Sequence, residues 1–149
     1  MRTIERDIVA AVILSRDNKL LLGMHGERGA YLGYWVIFGG GIDEGEDGRT
    51  ALNREILEET GIDISKYPAP LVHESIGESD KILRGTDERV HVKMKFFDYK
   101  VVINDKDCGD IKVTISEEHT EYKWAEISEL KDLKISPPSV ELFKKLGYL

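Results

Sequence analysis

Residues 40–62 read GGIDEGEDGRTALNREILEETGI and carry the clearest helix signals in the chain. Their pattern predicts a helix over residues 47–60, with Asp47 as the N-cap and Gly61 as the C-terminal stop. We expect an apolar stripe on the core-facing side of this helix, formed by Leu52, Ile56 and Leu57.

Three glutamates, Glu55, Glu58 and Glu59, follow one another at positions i, i+3 and i+4 of the predicted helix. Like charges at this spacing repel one another and destabilise a helix by roughly a few tenths of a kcal/mol per pair. A divalent cation would reverse the sign of that interaction, because Mg²⁺ and Mn²⁺ take carboxylate oxygens as ligands. For any one of these glutamates alone, a solvated surface position is the alternative interpretation.

A short predicted strand over residues 34–38 leads into three glycines, Gly39, Gly40 and Gly41. Glycines allow a sharp backbone turn and a close approach to a ligand. We therefore expect a glycine loop in front of the helix, in which a free backbone carbonyl could complete a metal shell.

The segment fits the pattern G-x5-E-x7-R-E-U-x-E-E-x-G-U, in which U is apolar. Nine positions are specified, and they are occupied by Gly40, Glu46, Arg54, Glu55, Ile56, Glu58, Glu59, Gly61 and Ile62. This pattern resembles the signature of the Nudix (MutT-like) hydrolase family. The resemblance implies a single domain over residues 1–149, of the α+β class, built as an α/β/α sandwich with a mixed sheet.

The resemblance also implies a metal site that holds Mg²⁺ or Mn²⁺. By position, Glu58 and Glu59 would be the principal metal ligands, and Glu55 a ligand or the general base. Gly39 would supply a carbonyl ligand, and Glu46 would be a supporting acid.

Arg54 would orient the carboxylates, since it lies four residues before Glu58. Family members often recruit one more acid from a loop before a strand that bears tryptophan, and Glu118, six residues before Trp124, is the candidate here. Either Glu55 or Glu118 could serve as the base. The chain departs from many family members by having Phe38, where they have proline.

The sequence offers a few candidate residues for contacts with the substrate. Trp35 and Tyr34 could stack on a base, with a core position as the alternative. Arg28 and Arg84 lie in loop-like segments where a cation could meet phosphate, with a plain surface position as the alternative. Residues 77–89 are expected to form a charged loop that determines specificity.

The implied function is metal-dependent hydrolysis of a diphosphate linkage in a nucleoside diphosphate joined to a group X. The family's proline or tyrosine markers for ADP-ribose and dinucleoside polyphosphates are absent near Gly77. A (d)NTP or an oxidised form of one, cleaved to NMP and pyrophosphate, is therefore favoured. The alternatives are a nucleotide-sugar hydrolase and a non-catalytic nucleotide sensor. A related allylic diphosphate isomerase would need a catalytic cysteine, for which Cys108 is poorly placed.

Composition sets the wider limits. The chain has 149 residues, a net charge of −7, 41% hydrophobic residues and one cysteine, which fits one domain without an internal disulfide. The acidic balance opposes a nucleic-acid polymer as partner and leaves a small nucleotide. No apolar run is long enough to span a membrane, so we expect a cytoplasmic protein, with a homodimer as an open option.

The remaining elements are predicted from periodicity and turn residues. Strands are expected over residues 8–14, 20–22, 71–76, 90–103 and 122–125, and a C-terminal helix after Ser136. His91 and His119 have no partner at metal-ligand spacing and are not interpreted as zinc ligands.

Overall fold

A computed structural model describes residues 1–26, 31–83 and 85–149. Within these segments, one mixed sheet contains seven strands: β1 Arg2–Ser15, β2 Lys19–His25, β3 Trp35–Val36, β4 Phe38–Gly41, β5 Leu71–Ile82, β6 Arg89–Ile103 and β7 His119–Glu126. Two α-helices accompany it, α1 Gly48–Thr60 and α2 Pro137–Lys145. Short 3₁₀ turns span Cys108–Asp110 and Ile127–Asp132.

The strand order is β3-β2-β1-β6-β5, with β4 paired to β1 and β7 paired to β2. β1 and β6 run parallel, whereas the other pairs are antiparallel. β1 and β2 meet at Leu14 and Leu20. The two strands then part, so that β4 lies beside β1 and β7 lies beside β2.

Both faces of the sheet are covered by apolar side chains. Along β1, Val9, Ala11 and Ile13 enter the core cluster that contains Leu52 and Ile56 of α1. Alternate residues of β1 enter a second cluster with α2, because successive side chains of a strand point to opposite faces. This layering confirms the predicted α+β class and the α/β/α sandwich with a mixed sheet.

The caps predicted for α1 are present. The Asp47 carboxylate accepts a hydrogen bond from the Thr50 amide at 2.7 Å, and Gly61 ends the helix with a φ of 74°. The predicted apolar stripe is wrong at Leu57, which is 52% exposed. Leu57 lies about 100° around the helix from buried Ile56, and the buried stripe passes instead through Glu59.

The predicted glycine loop is a strand. β3 ends at Val36 and pairs with β2, and after a break the chain re-enters the sheet as β4, paired with β1. None of Gly39, Gly40 and Gly41 has a positive φ. These glycines are needed for close approach: a Cβ on Gly39 would lie 2.1 Å from the Val9 carbonyl oxygen.

The prediction of a loop over residues 77–89 is also wrong. β5 continues to Ile82, and β5 and β6 form a hairpin in which Glu78 faces Lys93 and Asp80 faces His91. Opposite charges on neighbouring strands stabilise such a pair, although each strand alone has the polar composition of a loop. Of the described residues in this stretch, Leu83 and residues 85–88 lie outside the two strands.

The other predicted elements are confirmed, although β1 begins at Arg2 rather than near residue 8. α2 begins after Ser136 with proline in its first turn. Burial is the main cause that raises the pKa of the Cys108 thiol, which opposes a nucleophilic role. Among the described residues, no helix has the length and apolar character needed to cross a membrane.

Candidate active site

The three glutamates of α1 lie side by side but differ in exposure. The side chain of Glu58 is 60% exposed, that of Glu55 is 15% exposed, and that of Glu59 is 6% exposed. The row of carboxylates therefore runs from solvent into the protein interior, rather than along an evenly exposed face.

Arg54 joins this row to the loop before the helix. Its Nε and one terminal nitrogen each donate a 2.8 Å hydrogen bond to Glu46, so that this pair is bidentate. The other terminal nitrogen lies 2.9 Å from Glu55 and 3.4 Å from Glu58. Arg54 also donates to the Gly41 carbonyl at 3.1 Å. The hydrogen bonds from Arg54 to Glu46, followed by one from the Asp43 amide, lower the pKa of Glu46 to about 2, so that this carboxylate stays charged.

The glycine strand β4 packs directly on the carboxylates. A Cβ on Gly40 would lie 2.3 Å from the carboxyl carbon of Glu55. The Gly39 amide lies close enough to Glu59 to lower the pKa of that carboxyl. In a strand the N–H and C=O of one residue point to the same edge, so the Gly39 carbonyl also lies at the edge of β4 that faces Glu59.

Among the three glutamates of α1, Glu59 has the environment least favourable to a charged carboxylate. Its Oε2 atom is buried and has no hydrogen-bond partner within the described structure. Burial, followed by the charges of Glu118 and Glu55, raises the pKa of Glu59 to about 9. A buried carboxylate of this kind is costly unless a proton or a cation compensates it.

Glu118 is brought to this site from a distant part of the chain. It occupies an exposed turn just before β7, and its charge raises the pKa of Glu59 and of Glu55. For Glu55 the main cause of the raised pKa is burial, and Arg54 acts in the opposite direction. The structure therefore brings together the two acids between which the sequence left the choice of base open.

His119, the first residue of β7, is a neighbour of the site that the sequence analysis did not assign to it. Its side chain is 3% exposed, and Nε2 lies 3.9 Å from Glu59 Oε2. Burial is the main cause that lowers the pKa of His119 to about 4, so the ring is neutral. The only signal in the sequence is its position directly after Glu118.

Comparison with known proteins identifies the architecture. The family model described as NUDIX domain matches residues 5–146, which is nearly the whole chain. The chain belongs to the Nudix family. Among its relatives, the nucleoside triphosphatase NudI of Klebsiella pneumoniae (strain 342) is 30% identical over 97% of this chain and 99% of that protein. NudI of Escherichia coli K12 is 29% identical over the same shares.

Solved structures share the fold. The NUDIX domain of Shewanella oneidensis NrtR, complexed with ADP ribose, has a TM-score of 0.72 at 17% identity, covering 97% of this chain and 87% of that one. The Escherichia coli dihydroneopterin triphosphate pyrophosphohydrolase has a TM-score of 0.70 at 18% identity, covering 93% and 92%. Family membership and the nucleoside triphosphatase relatives identify this Nudix chain as a hydrolase of diphosphate bonds.

Nudix hydrolases generally use divalent metal ions, and the donors of this site fit one. Carboxylate and carbonyl oxygens are the ligands of hard divalent cations, and the buried carboxylate of Glu59, which lies near the charges of Glu118 and Glu55, would be stabilised by such a cation. No three acidic or imidazole side chains of the described residues already converge in ligand geometry. Glu55 and Glu58 instead each accept a hydrogen bond from Arg54 through one oxygen, so that the other oxygen of each could serve a cation.

Of the candidate substrate contacts, the structure describes Trp35 and Tyr34, and it places neither against the three glutamates. Trp35 pairs with Met24 in the β2–β3 register and packs on the core cluster of α2, on the sheet face opposite Gly23 and His119. Tyr34 lies under the ammonium group of Lys134, which is 4.3 Å from its ring centre. Arg28 and Arg84 lie outside the described residues.

Proposed function

We propose that this Nudix hydrolase cleaves a nucleoside triphosphate, a (d)NTP or an oxidised form of one, to NMP and pyrophosphate. The observation that carries the proposal is the row of three glutamates on α1, in which Glu55 packs against the glycine strand and the carboxylate of Glu59 is buried. The relatives named nucleoside triphosphatase, similar over nearly the full length of both chains, support this substrate class.

Glu55, Glu58, Glu59 and the Gly39 carbonyl would hold Mg²⁺ or Mn²⁺. When bound, such an ion offsets the negative charge of the diphosphate and lowers the pKa of a bound water molecule. Arg54 would position Glu55 and Glu58 through the hydrogen bonds that it already makes. This assignment explains how an acidic protein could accept a polyanionic substrate.

Two residues could act as the base that takes the proton of the attacking water. Glu55 is half-buried and is held between Arg54 and Gly40. Glu118 is exposed on the turn before β7. Loss of a general base costs about 10²- to 10⁴-fold in rate, so Glu55→Gln and Glu118→Gln compared at saturating Mn²⁺ would distinguish the two.

The test is product release from (d)NTPs, oxidised dGTP, nucleotide sugars and ADP-ribose, with and without Mg²⁺ or Mn²⁺. We expect pyrophosphate to be released from a nucleoside triphosphate only when the metal is present. The rate should fall by about 10²-fold or more in Glu58→Gln and Glu59→Gln. Glu74→Gln, the same chemical change on an exposed position of β5, is the control and should retain activity.

Three outcomes would contradict the proposal. Full activity in both Glu58→Gln and Glu59→Gln would contradict the assignment of these two residues as metal ligands. Turnover of nucleotide sugars alone would show that they, and not nucleoside triphosphates, are the substrate class. Tight nucleotide binding without turnover of any substrate in the panel would indicate a sensor instead of an enzyme.

A further inference from the structure

Two buried polar groups without partners lie next to each other beside the site. Glu59 Oε2 and His119 Nδ1 both lack a hydrogen-bond partner within the described structure. The His119 Nε2 atom is 3.9 Å from that same Glu59 oxygen. Leaving a buried polar group unpaired costs free energy, so two of them side by side require an explanation.

The position of His119 is fixed by its surroundings. Its ring packs on Phe38 with 4.6 Å between ring centres, and on His25 with 5.4 Å. A Cβ on Gly23 would lie 2.8 Å from the His119 ring and 2.6 Å from Phe38, so this strand position has no room for a side chain. The imidazole is therefore held on a rigid element and faces the carboxylate, as preorganised positioning of a ligand requires.

We infer that His119 is a positioning residue, which donates an Nε2–H hydrogen bond to Glu59 Oε2 and so orients the carboxylate towards the cation. An imidazole that carries its proton on Nε2 donates one hydrogen bond, and Glu59 Oε2, now at 3.9 Å, would approach Nε2 by about 1 Å for that bond to form. Hydrogen bonds in a site are often long in the free protein and shorten in the complex. The inference rests on the proposed function, because it gives Glu59 the role of metal ligand.

With this hydrogen bond, the two carboxylate oxygens of Glu59 would have different partners. Oε2 would face His119 in the interior, and the other oxygen would be left for the cation at the edge of β4. Partners of this kind, which hold a metal ligand without touching the metal, typically contribute about 10- to 100-fold in metal affinity.

The experiment measures Mn²⁺ binding to the full-length protein without nucleotide, by electron paramagnetic resonance or calorimetry. His119→Phe keeps the packing on Phe38 but removes the donor, and His119→Asn places its amide near the Nδ1 position. His119→Gln places an N–H near Nε2. We expect Mn²⁺ to bind about 10-fold or more weakly to the Phe and Asn variants, and within about 3-fold of wild type to the Gln variant.

His91→Gln is the matched control, since the His91 ring pairs with Asp80 and Glu78 of β5. A second measurement is the Mn²⁺ concentration that gives half-maximal activity. We expect it to rise in His119→Phe, while kcat recovers at saturating Mn²⁺. A merely structural role would lower kcat or thermal stability without moving this concentration. If His119→Phe does not fold, His119→Asn and His119→Gln decide the question.

The inference is overturned if the Phe and Asn variants bind Mn²⁺ as tightly as wild type, or if the Gln variant binds it as weakly as they do. Glu59→Gln separates the two proposals. If Glu59→Gln weakens Mn²⁺ binding and His119→Phe does not, only the inference about His119 fails. If Glu59→Gln leaves Mn²⁺ binding unchanged, the proposed metal site fails as well.

Discussion

Gly40 is a residue of this site at which a side chain would meet a proposed metal ligand. A Cβ there would lie 2.3 Å from the carboxyl carbon and one oxygen of Glu55. Gly40→Ala would force the Glu55 carboxylate to shift by an ångström or so, and a displacement of that size can cost about 10²-fold in rate. We expect a loss of this order in kcat, with the metal-dependent assay as the measurement.

Gly109→Ala is the matched control for this substitution. No heavy atom lies within 4 Å of the Cβ that it would add, and Gly109 has no positive φ. It should retain wild-type activity. Wild-type kcat in Gly40→Ala would show that the position of Glu55 against β4 does not matter for the reaction.

For single residues, the sequence indicated which acids form the site but not which of them are buried. The spacing of Glu55, Glu58 and Glu59 predicted their neighbourhood, because i, i+3 and i+4 share a helix face. It also led to the expectation that Leu57, rather than Glu59, would be buried. A local apolar pattern does not show that a buried carboxylate has the β4 edge and His119 beside it, because those contacts come from distant parts of the chain.

At the scale of the element, the position of α1 depends on its N-cap. The Asp47 carboxylate accepts the Thr50 amide at 2.7 Å, which satisfies one of the free amides at the start of the helix. Asp47→Ala should lower the free energy of unfolding by about 1 kcal/mol, measured by urea denaturation. Asp47→Ser supplies another capping oxygen and should stay close to wild type. An equal loss in both variants would contradict the capping role.

The strands show why some elements could be predicted and others could not. α1 was predicted almost to the residue because Asp47 and Gly61 mark its ends through local backbone chemistry. β4 and the far half of β5 were mistaken for loops because glycines and charged residues dominate them. Their strand structure comes from pairing partners, Ile8–Ala11 for β4 and Arg89–Lys95 for β5, and partners are not visible in a local window.

At the scale of the whole molecule, the net charge of −7 is not spread over solvated surface alone. Part of it converges at the proposed metal site, and another acid, Asp98 of β6, is buried on the opposite face of the sheet. Asp98 is 8% exposed, and burial, followed by the charge of Glu141 on α2, raises its pKa to about 6. His73, its cross-strand partner on β5, also faces it.

A raised pKa of this kind makes stability depend on pH in a defined direction. Between about pH 4, where the unfolded carboxyl titrates, and about pH 6, the folded protein binds the proton more tightly. The folded state is therefore most favoured by Asp98 at low pH and loses this contribution as the pH rises through 6. Because the pKa of Asp98 lies at about 4 in the unfolded chain and at about 6 in the folded one, the loss is at most on the order of 3 kcal/mol.

Asp98→Asn removes this dependence, because an amide does not ionise. The variant should match wild type near pH 4 and exceed it in free energy of unfolding by up to about 3 kcal/mol at pH 7, as measured by urea denaturation across that range. Asp132→Asn, the same chemical change at an exposed position, is the control and should stay close to wild type in free energy of unfolding. Taking the difference between variant and wild type at each pH cancels the titration of groups common to both. A constant difference for Asp98→Asn from pH 4 to 7 would mean that this carboxyl titrates alike in the folded and unfolded chains, and that the sheet beneath α2 does not hold it away from water.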